Sequence, residues 1–188
     1  MNIEEKRDIE KRKYIILDDT NYGDTFHGEI FLKNNSVFKE KNIKSVLDVG
    51  TGKGNAVHYM NSIGINTKGV DFAIKPDKSF DQTKFITSYA HNIPVKDKSF
   101  DCITSFDVVE HCLEEDIDLI FEEFNRIAKK LLVLSICFNK STIKQRLIDN
   151  NMNGQLHPTV KPYEWWYDKI KKFGVIKKQH GYFICYLK

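Results

Sequence analysis

The sequence has 188 residues, of which 41% are hydrophobic and 29% charged, so it holds enough apolar material for one folded domain and is not intrinsically disordered. The 29 basic and 26 acidic residues give a formal charge of +3, and this balance neither requires nor excludes a nucleic-acid partner. No apolar run approaches the roughly 18 residues of a membrane-spanning helix, and residues 1–14 are charged where a signal peptide would be apolar, which predicts a cytoplasmic protein.

Apolar runs alternate with segments of helical period, a pattern typical of a parallel sheet with helices on both faces. The predicted strands are 45–49, 67–71, 84–87, 100–105 and 131–136. A hairpin of 175–178 and 182–187, turning at His180 and Gly181, completes seven strands. The four cysteines are far apart and form no Cys-x-x-Cys pair, which favours free thiols over a disulfide or a zinc site.

Three helices are predicted between these strands, from 55 to 63, from about 115 to 129, and from 162 to about 173. The second has apolar residues at i, i+3 and i+4 spacing, and the third begins at Pro162 and is stopped by Gly174. Residues 139–161 are polar and predict a long functional loop with a helical turn near 143–148. The last segment, 162–188, is then a helix followed by the terminal hairpin.

The chemistry is concentrated after the first strand, in Leu-Asp-Val-Gly-Thr-Gly-Lys-Gly-Asn at 47–55. Alternate glycines let the backbone approach a ligand at the carboxyl end of this strand, and the following helix offers free N–H groups. The spacing DxGxGxG differs from the dinucleotide motif, because Asp48 would repel a pyrophosphate and suit a ligand with a cationic amino group. No Walker sequence follows, so a P-loop is excluded.

This segment resembles the first motif of the class I S-adenosylmethionine-dependent methyltransferases. Asp71 closes the second strand, where that family places an acid that hydrogen-bonds the ribose hydroxyls. Residues 93–101, Ile-Pro-Val-Lys-Asp-Lys-Ser-Phe-Asp, and residues 106–111 resemble the family's sequence before and after strand four. The resemblance covers 45–136 and implies one α/β domain with a seven-stranded, mostly parallel sheet whose last strand is antiparallel. It also implies an enzyme that uses S-adenosyl-L-methionine.

The resemblance divides the chain into an N-terminal helical or lid segment (1–43), a cofactor-binding core (44–136) and an acceptor-side loop (139–161). In this reading the 50–52 backbone faces the methionine half of the cofactor near Asp48, Asp71 holds the ribose, and Phe72 packs on the adenine. Tyr89 stands where many relatives have an acid that reads the adenine. The expected cofactor-binding residues are Asp48, Gly50, Thr51, Gly52, Asp71, Phe72, Ala90, His91, Phe106 and Tyr22.

The candidate catalytic residues are His111, Glu110 and His157. An imidazole beside the cofactor suits a general base on an acceptor hydroxyl or amine, although His111 is as well explained as a helix cap. The stretch from Asp107 to His111 is similar to the ExxEH of ubiquinone-pathway O-methyltransferases and small-RNA 2′-O-methyltransferases, which is linked to a divalent metal. Here the first acid is Asp and only one imidazole is surely in reach, so we expect no metal.

His157 is either a second base, a metal partner of Glu110 and His111, or a surface histidine before a proline. Residues 21–27 precede the first strand, where many relatives have a lid, so Tyr22 and His27 are candidate contacts at even odds with a loop of no chemical role. The sequence leaves the oligomeric state open.

The acceptor is narrowed by motifs that the sequence lacks. It has neither the Pro-Pro-Tyr/Phe motif of exocyclic-amine DNA methyltransferases nor the Pro-Cys of the cytosine C5 enzymes, which disfavours DNA bases. We expect in-line methyl transfer to an oxygen or nitrogen of a small-molecule or sugar-like acceptor; a nucleic-acid partner is not indicated. The alternatives are a fold relative that binds S-adenosylmethionine or S-adenosylhomocysteine without methyl transfer, and a metal-assisted RNA 2′-O-methyltransferase.

Overall fold

Seven strands form one sheet in the computed structural model, which describes residues 1–18, 20, 22, 24–34, 36–76, 80–179 and 181–188. The strands are β1 (Ser45–Val49), β2 (Asn66–Asp71), β3 (Phe85–Thr87), β4 (Phe100–Phe106), β5 (Ala128–Ser135), β6 (Gly174–Gln179) and β7 (Tyr182–Leu187). Their order is β3-β2-β1-β4-β5-β7-β6. The pairs among β1 to β5 are parallel, and β7 runs antiparallel to both β5 and β6. The predicted fold class is confirmed.

Helices cover both faces of this sheet. They are α1 (Ile3–Leu17), α2 (Glu29–Asn34), α3 (Val37–Glu40), α4 (Asn55–Ser62), α5 (Ile117–Ile127), α6 (Gln145–Asp149) and α7 (Tyr163–Ile170). Short 3₁₀ turns occupy Gln82–Lys84, Val109–His111 and Glu114–Asp116. Among the described residues, no helix is both long enough and apolar enough to cross a membrane.

The core is divided by the sheet into two layers. On one face the apolar stripe of α5 packs with Trp166 of α7 against Leu47 and Leu132. On the other face Met60 of α4 and Phe31 of α2 pack against side chains of alternate strand positions. Full burial of one such side chain stabilises the fold by about 1.5–3 kcal/mol. This packing holds the carboxyl ends of β1, β2 and β4 at one edge.

Two predicted boundaries were wrong, both where a helix meets a strand. The helix predicted to reach Lys129 ends at Ile127, because Ala128 already pairs with Phe100 in the sheet, so β5 begins three residues before the predicted Leu131. The helix predicted to reach Phe173 ends at Ile170, and Gly174 belongs to β6. A Cβ on Gly174 would lie 2.0 Å from the Tyr186 carbonyl oxygen, so the glycine permits close pairing of strands.

The polar loop 139–161 is an ordered part of the fold. It contains α6, close to the predicted helical turn, and it buries Leu147 and Leu156 against Tyr14 and Leu17 of α1. The segment before β1 and the segment between β5 and β6 are therefore packed together. At the terminal hairpin, His180 lies outside the described residues, and Gly181 has a φ of 88°.

Candidate active site

The glycine-rich turn between β1 and α4 adopts a backbone conformation that side chains disfavour. Gly50, Gly52 and Gly54 have φ values of 75°, 54° and 89°, in the left-handed region that glycine enters without steric cost. A Cβ on Gly50 would lie 2.3 Å from Val108. The backbone N–H of Gly52 donates to Asp71 Oδ2 at 3.0 Å. Conformation and space therefore both require glycine here, and the turn is fixed against the end of β2.

A cavity opens above this turn, at the carboxyl ends of β1, β2 and β4. All ten residues predicted to bind the cofactor line it, from Tyr22 through the glycine turn to Phe106. Additional walls come from Arg7, Glu10 and Tyr14 of α1 and from residues 25–28. The structure thus brings the predicted set together around one space and covers that space with the N-terminal segment.

Two buried carboxylates lie on the floor of the cavity. Asp48 is 3% exposed and accepts a hydrogen bond from Thr104 Oγ1 at 2.6 Å; burial raises the pKa of Asp48 to about 6. Asp71 accepts backbone N–H bonds from Gly52, Ala73 and Ile74. Burial raises the pKa of Asp71 as well, against these three donors, which lower it. Both acids are held in one orientation before any ligand binds.

Aromatic rings pack together at one end of the cavity. The rings of Phe72 and Tyr89 lie 5.5 Å apart, and Tyr89 stacks on His91 at 5.4 Å with an interplanar angle of 26°. Phe72 also packs against Tyr14 at 5.5 Å. Tyr89, which replaces an expected acid, therefore contributes an aromatic ring to this end of the cavity, where planar groups pack favourably.

The N-terminal helix is attached to the rest of the cavity by side-chain contacts. Arg7 Nε donates to Asp116 Oδ2 at 3.0 Å, and the second guanidinium nitrogen bonds the other oxygen at 2.5 Å. Tyr14 Oη lies 2.6 Å from His111 Nδ1. Since Arg7 and Asp116 are both largely buried, this bidentate pair is protected from water and fixes α1 over the cavity.

A histidine and an aspartate pair at the wall of the cavity. His27 Nδ1 lies 2.8 Å from Asp107 Oδ2, and Ser135 Oγ donates to Asp107 Oδ1 at 3.0 Å. The bond to Asp107 raises the pKa of His27. Burial acts to raise the pKa of Asp107, but the bonds from His27 and Ser135 prevail and lower it. Asp107 has a φ of 53°, unusual for a residue with a side chain. The pair is therefore built from a strained turn after β4.

The three predicted catalytic residues lie together. Ligand atoms of Glu110, His111 and His157 all lie within 4.8 Å of one another. Burial raises the pKa of Glu110 to about 8. Burial and the neighbouring His157 lower the pKa of His111 to about 3. Of the three, only His111 lines the cavity, so the cluster is part of its wall.

Residues 47–134 match a protein-family model described as a methyltransferase domain. The match begins on β1, contains the glycine turn and Asp71, and ends on β5, so it includes most of the cavity floor. The chain contains a class I methyltransferase domain. The methyltransferase sequence matches no curated protein.

Solved structures share the fold of this methyltransferase at low sequence identity. The PH0226 protein from Pyrococcus horikoshii is 14% identical with a TM-score of 0.66, and the alignment covers 88% of this chain and 93% of that one. Phosphoethanolamine N-methyltransferase 2 of Haemonchus contortus, solved with S-adenosyl-L-methionine, is 20% identical with a TM-score of 0.60, and the alignment covers 86% of this chain and 44% of that one. A SAM-dependent methyltransferase of Archaeoglobus fulgidus is 17% identical with a TM-score of 0.53, and the alignment covers 80% of this chain and 69% of that one. These similarities establish the fold.

S-adenosyl-L-methionine is the cofactor of this methyltransferase, and the residues present fit it. The Thr51 hydroxyl and the Asp48 carboxylate lie side by side at the buried end of the cavity, and an acceptor and a donor placed together suit the polar methionine end of the cofactor. The glycine turn leaves room for close backbone approach, and the Phe72 and Tyr89 rings give the cavity an aromatic surface on which a purine can pack. Polar and planar parts of the cofactor thus find matching surfaces.

Sequence reasoning missed several residues of the methyltransferase cavity. Arg7, Glu10 and Tyr14 line it from α1. No local motif marks Arg7 or Tyr14, because their partners Asp116 and His111 are more than 90 residues away in the chain. The sequence marked His27 as a candidate lid contact, and the resemblance placed Asp107 beside the sulfonium and the acceptor entry, but nothing in the sequence paired the two residues. The hydrogen bond between them forms only where the 25–28 segment contacts the end of β4 in the folded chain. No local sequence pattern indicates it.

Proposed function

We propose that this protein transfers a methyl group from S-adenosyl-L-methionine to an oxygen or nitrogen of a small-molecule or sugar-like acceptor. One observation carries the proposal: all ten expected cofactor residues line a single cavity whose wall also holds the His27–Asp107 pair. A cofactor site and a candidate proton acceptor are therefore adjacent, which is the minimum that methyl transfer to a hydroxyl or amine requires.

Each part of the cavity has a role in this proposal. The 50–52 backbone and Thr51 Oγ1 bind the methionine half, with the Asp48 carboxylate near its ammonium group. Asp71 binds the ribose hydroxyls through the lone pairs that its backbone donors leave free. Phe72 packs on the adenine, and the Tyr89 ring lies beside Phe72 at 5.5 Å and extends this apolar surface. The remaining cofactor contacts are Gly50, Gly52, Ala90, His91, Phe106 and Tyr22.

When bound, the cofactor supplies an electrophilic methyl group on a sulfonium. The main contribution of the protein is then to position the acceptor. Holding the two reactants in line removes a large part of the entropic barrier to a bimolecular reaction. Arg7, Glu10 and Tyr14 cover the cavity from one side, and this cover excludes water from the reacting groups. Phe106 and Gly28 narrow the acceptor side, since a Cβ on Gly28 would lie 2.4 Å from the Phe106 ring.

His27 acts as the general base in the proposed reaction. Its Nδ1 faces a carboxylate, so Nδ1 carries the proton and Nε2 keeps a lone pair in the neutral ring. Nε2 takes the acceptor proton, and Asp107 stabilises the imidazolium that results. Asp107 is itself oriented by Ser135, which donates to its second oxygen. The role predicted for His111, Glu110 and His157 as catalytic residues stays a prediction.

The surface supports a small acceptor rather than a nucleic acid. The lysines of α7 and the following turn are paired: Lys169 and Lys172 contact Asp118, and Lys171 contacts Asp168. These pairs offset part of the positive charge of residues 169–172. Phosphoethanolamine N-methyltransferase 2 of Haemonchus contortus, which shares the fold, was solved with phosphomonomethylethanolamine and S-adenosylhomocysteine, a small-molecule complex.

Calorimetric binding of S-adenosylmethionine and S-adenosylhomocysteine tests the first half of the proposal. We expect micromolar affinity in the wild type and at least about tenfold weaker binding in Asp71→Asn, since a charged hydrogen bond contributes about 1.5–3 kcal/mol. Asp97→Asn is the matched control, because Asp97 is exposed and pairs with Arg126 far from the cavity. Absence of binding by the wild type would refute the assignment of the cofactor site.

Release of S-adenosylhomocysteine in the presence of hydroxyl and amine acceptors tests the second half. We expect turnover with at least one small acceptor and none with duplex DNA. A protein that binds the cofactor tightly and transfers no methyl group to any class of acceptor would instead be a fold relative that only binds the cofactor.

A further inference from the structure

A cluster of two imidazoles and one carboxylate lies in the wall of the cavity, and the proposed methyl transfer does not use it. Glu110 and His111 end the 3₁₀ turn after β4, and His157 comes from the loop 139–161. The two imidazole rings lie 4.5 Å apart and meet at 90°. Ligand atoms of all three side chains lie within 4.8 Å of one another. Such a spacing fits three groups that face one common point.

The hydrogen bonds of both histidines leave the same nitrogen free. His111 Nδ1 lies 2.9 Å from the Leu156 carbonyl oxygen, and His157 Nδ1 lies 2.6 Å from the Asn139 carbonyl oxygen. A carbonyl oxygen only accepts hydrogen bonds, so each Nδ1 carries the proton and each Nε2 keeps its lone pair. The Tyr14 hydroxyl, 2.6 Å from His111 Nδ1, is consistent with this assignment because it donates to the same Leu156 carbonyl at 3.3 Å. An Nδ1–H bound to a backbone carbonyl is the arrangement that orients a metal-ligating histidine.

Glu110 supplies an unpaired oxygen at the same place. Its side chain is fully buried, and Oε1 accepts the backbone N–H of Cys137 at 2.9 Å. Oε2 has no hydrogen-bond partner among the described residues. An unpartnered carboxylate oxygen in the interior costs free energy unless it binds a cation or a donor. The unpaired oxygen therefore indicates that a ligand binds to Glu110 at this position.

We propose that Glu110, His111 and His157 bind one divalent transition-metal ion, of which Zn²⁺ is the representative. Two imidazole nitrogens and one carboxylate oxygen suit zinc and its first-row neighbours, whereas Mg²⁺ and Ca²⁺ prefer oxygen ligands throughout. Three protein ligands leave further positions on the ion open, as in catalytic rather than structural zinc sites. From the sequence we expected no metal, because only the imidazole of His111 was clearly within reach of the motif. In the structure the loop 139–161 brings a second imidazole, that of His157, beside it.

The inference goes beyond the proposed function, which needs no metal, and it is tested without measuring methyl transfer. Full-length protein is freed of metal with a chelator and titrated with Zn²⁺ by calorimetry, and with Co²⁺ by its visible absorption. We expect one ion per chain. His157→Gln is expected to weaken binding by about 100-fold or more, since even the partners of a ligand typically contribute 10- to 100-fold.

Two further variants make the result specific. Glu110→Gln keeps an oxygen for the Cys137 N–H and removes the charge at the free position, so it is expected to lose the ion without unfolding. His58→Gln removes an exposed histidine of α4 and is expected to bind as the wild type does. Thermal unfolding of each metal-free variant reports whether the fold is retained.

The proposal is overturned if the wild type binds no stoichiometric ion, or if His157→Gln and His58→Gln change the affinity equally. Equal losses would mean that surface histidines bind the ion adventitiously. Because metal titration and cofactor calorimetry are separate measurements on the same protein, failure of one leaves the other unaffected.

Discussion

At the residue scale, the His27–Asp107 pair makes a prediction about pH. The methyl-transfer rate is expected to rise with pH as His27 loses its proton, through a pKa raised above the ordinary value by Asp107. In Asp107→Asn that pKa falls toward its ordinary value, so the acidic limb of the profile moves to lower pH. Turnover above that limb is expected to fall by about 100-fold or more, as general-base assistance typically contributes 10²–10⁴.

The profile is measured as S-adenosylhomocysteine formed per minute between pH 5 and 9, with Asp118→Asn as control. Asp118 is also hydrogen-bonded to cationic side chains, but on the outer surface of α5 and α7. An unchanged pH profile in Asp107→Asn would mean that His27 is not the general base and that the residues around it only position the acceptor.

Asp48 makes a second prediction, about stability of the cofactor-free protein. Burial raises its pKa to about 6 in the folded state, while the unfolded carboxyl keeps a value near 3.9. Between these values the folded state binds more protons than the unfolded state, so this group makes the free energy of unfolding fall as pH rises from about 4 to 6. Above about pH 6 Asp48 is ionised in both states, and the free energy of unfolding no longer changes with pH through this group.

Urea unfolding at pH 4.5 and pH 7.5 measures this effect by comparing the wild type with Asp48→Asn. The amide has no such titration, so the variant is expected to lose less stability over this interval than the wild type. Equal slopes in the two proteins would show that Asp48 is not desolvated in the absence of ligand.

At the element scale, α1 is held by the largely buried Arg7–Asp116 ion pair. Replacement of Arg7 by Met leaves Asp116 largely buried without its partner, which is expected to cost about 1–3 kcal/mol of unfolding free energy. Cofactor affinity falls as well, because α1 no longer covers the cavity in one position. Chemical denaturation and calorimetry of the same samples measure both effects.

Lys171→Ala provides the matched comparison for Arg7→Met. Lys171 also pairs with an acid, Asp168, but both side chains are exposed, and such pairs contribute about 0–1 kcal/mol. Similar losses in the two variants would mean that burial of the Arg7–Asp116 pair is unimportant.

How far the sequence predicts this site depends on how local each element is. The glycine turn and Asp71 were predictable because one strand, one turn and one helix set their geometry within 30 residues. The α1 contacts were not, since Arg7 meets Asp116 and Tyr14 meets His111 only after the sheet has formed. The end of α5 was misplaced for the same reason: pairing of Ala128 with another strand overrides the apolar period of the helix. α7 ends at Ile170, and residues 171–173 form a turn that leads into β6.

At the scale of the whole molecule, cofactor binding is expected to stabilise the fold. A ligand at 100 times its dissociation constant adds about 2.7 kcal/mol, and for a domain of this size each kcal/mol raises Tm by about 2–4 °C. S-adenosylhomocysteine at that concentration should therefore raise Tm by several degrees, measured by scanning calorimetry. At the same concentration Asp71→Asn should show a clearly smaller rise.

The position of α1 also sets how quickly ligands exchange. The helix contacts Asp116 before α5 and Leu156 in the loop 139–161, so the cover can open only when bonds to two distant segments break together. Motions of this kind are typically on the microsecond to millisecond timescale. The cofactor and its demethylated product must pass through that opening, so association is slower than diffusion allows, and the product stays bound for as long as the helix stays closed.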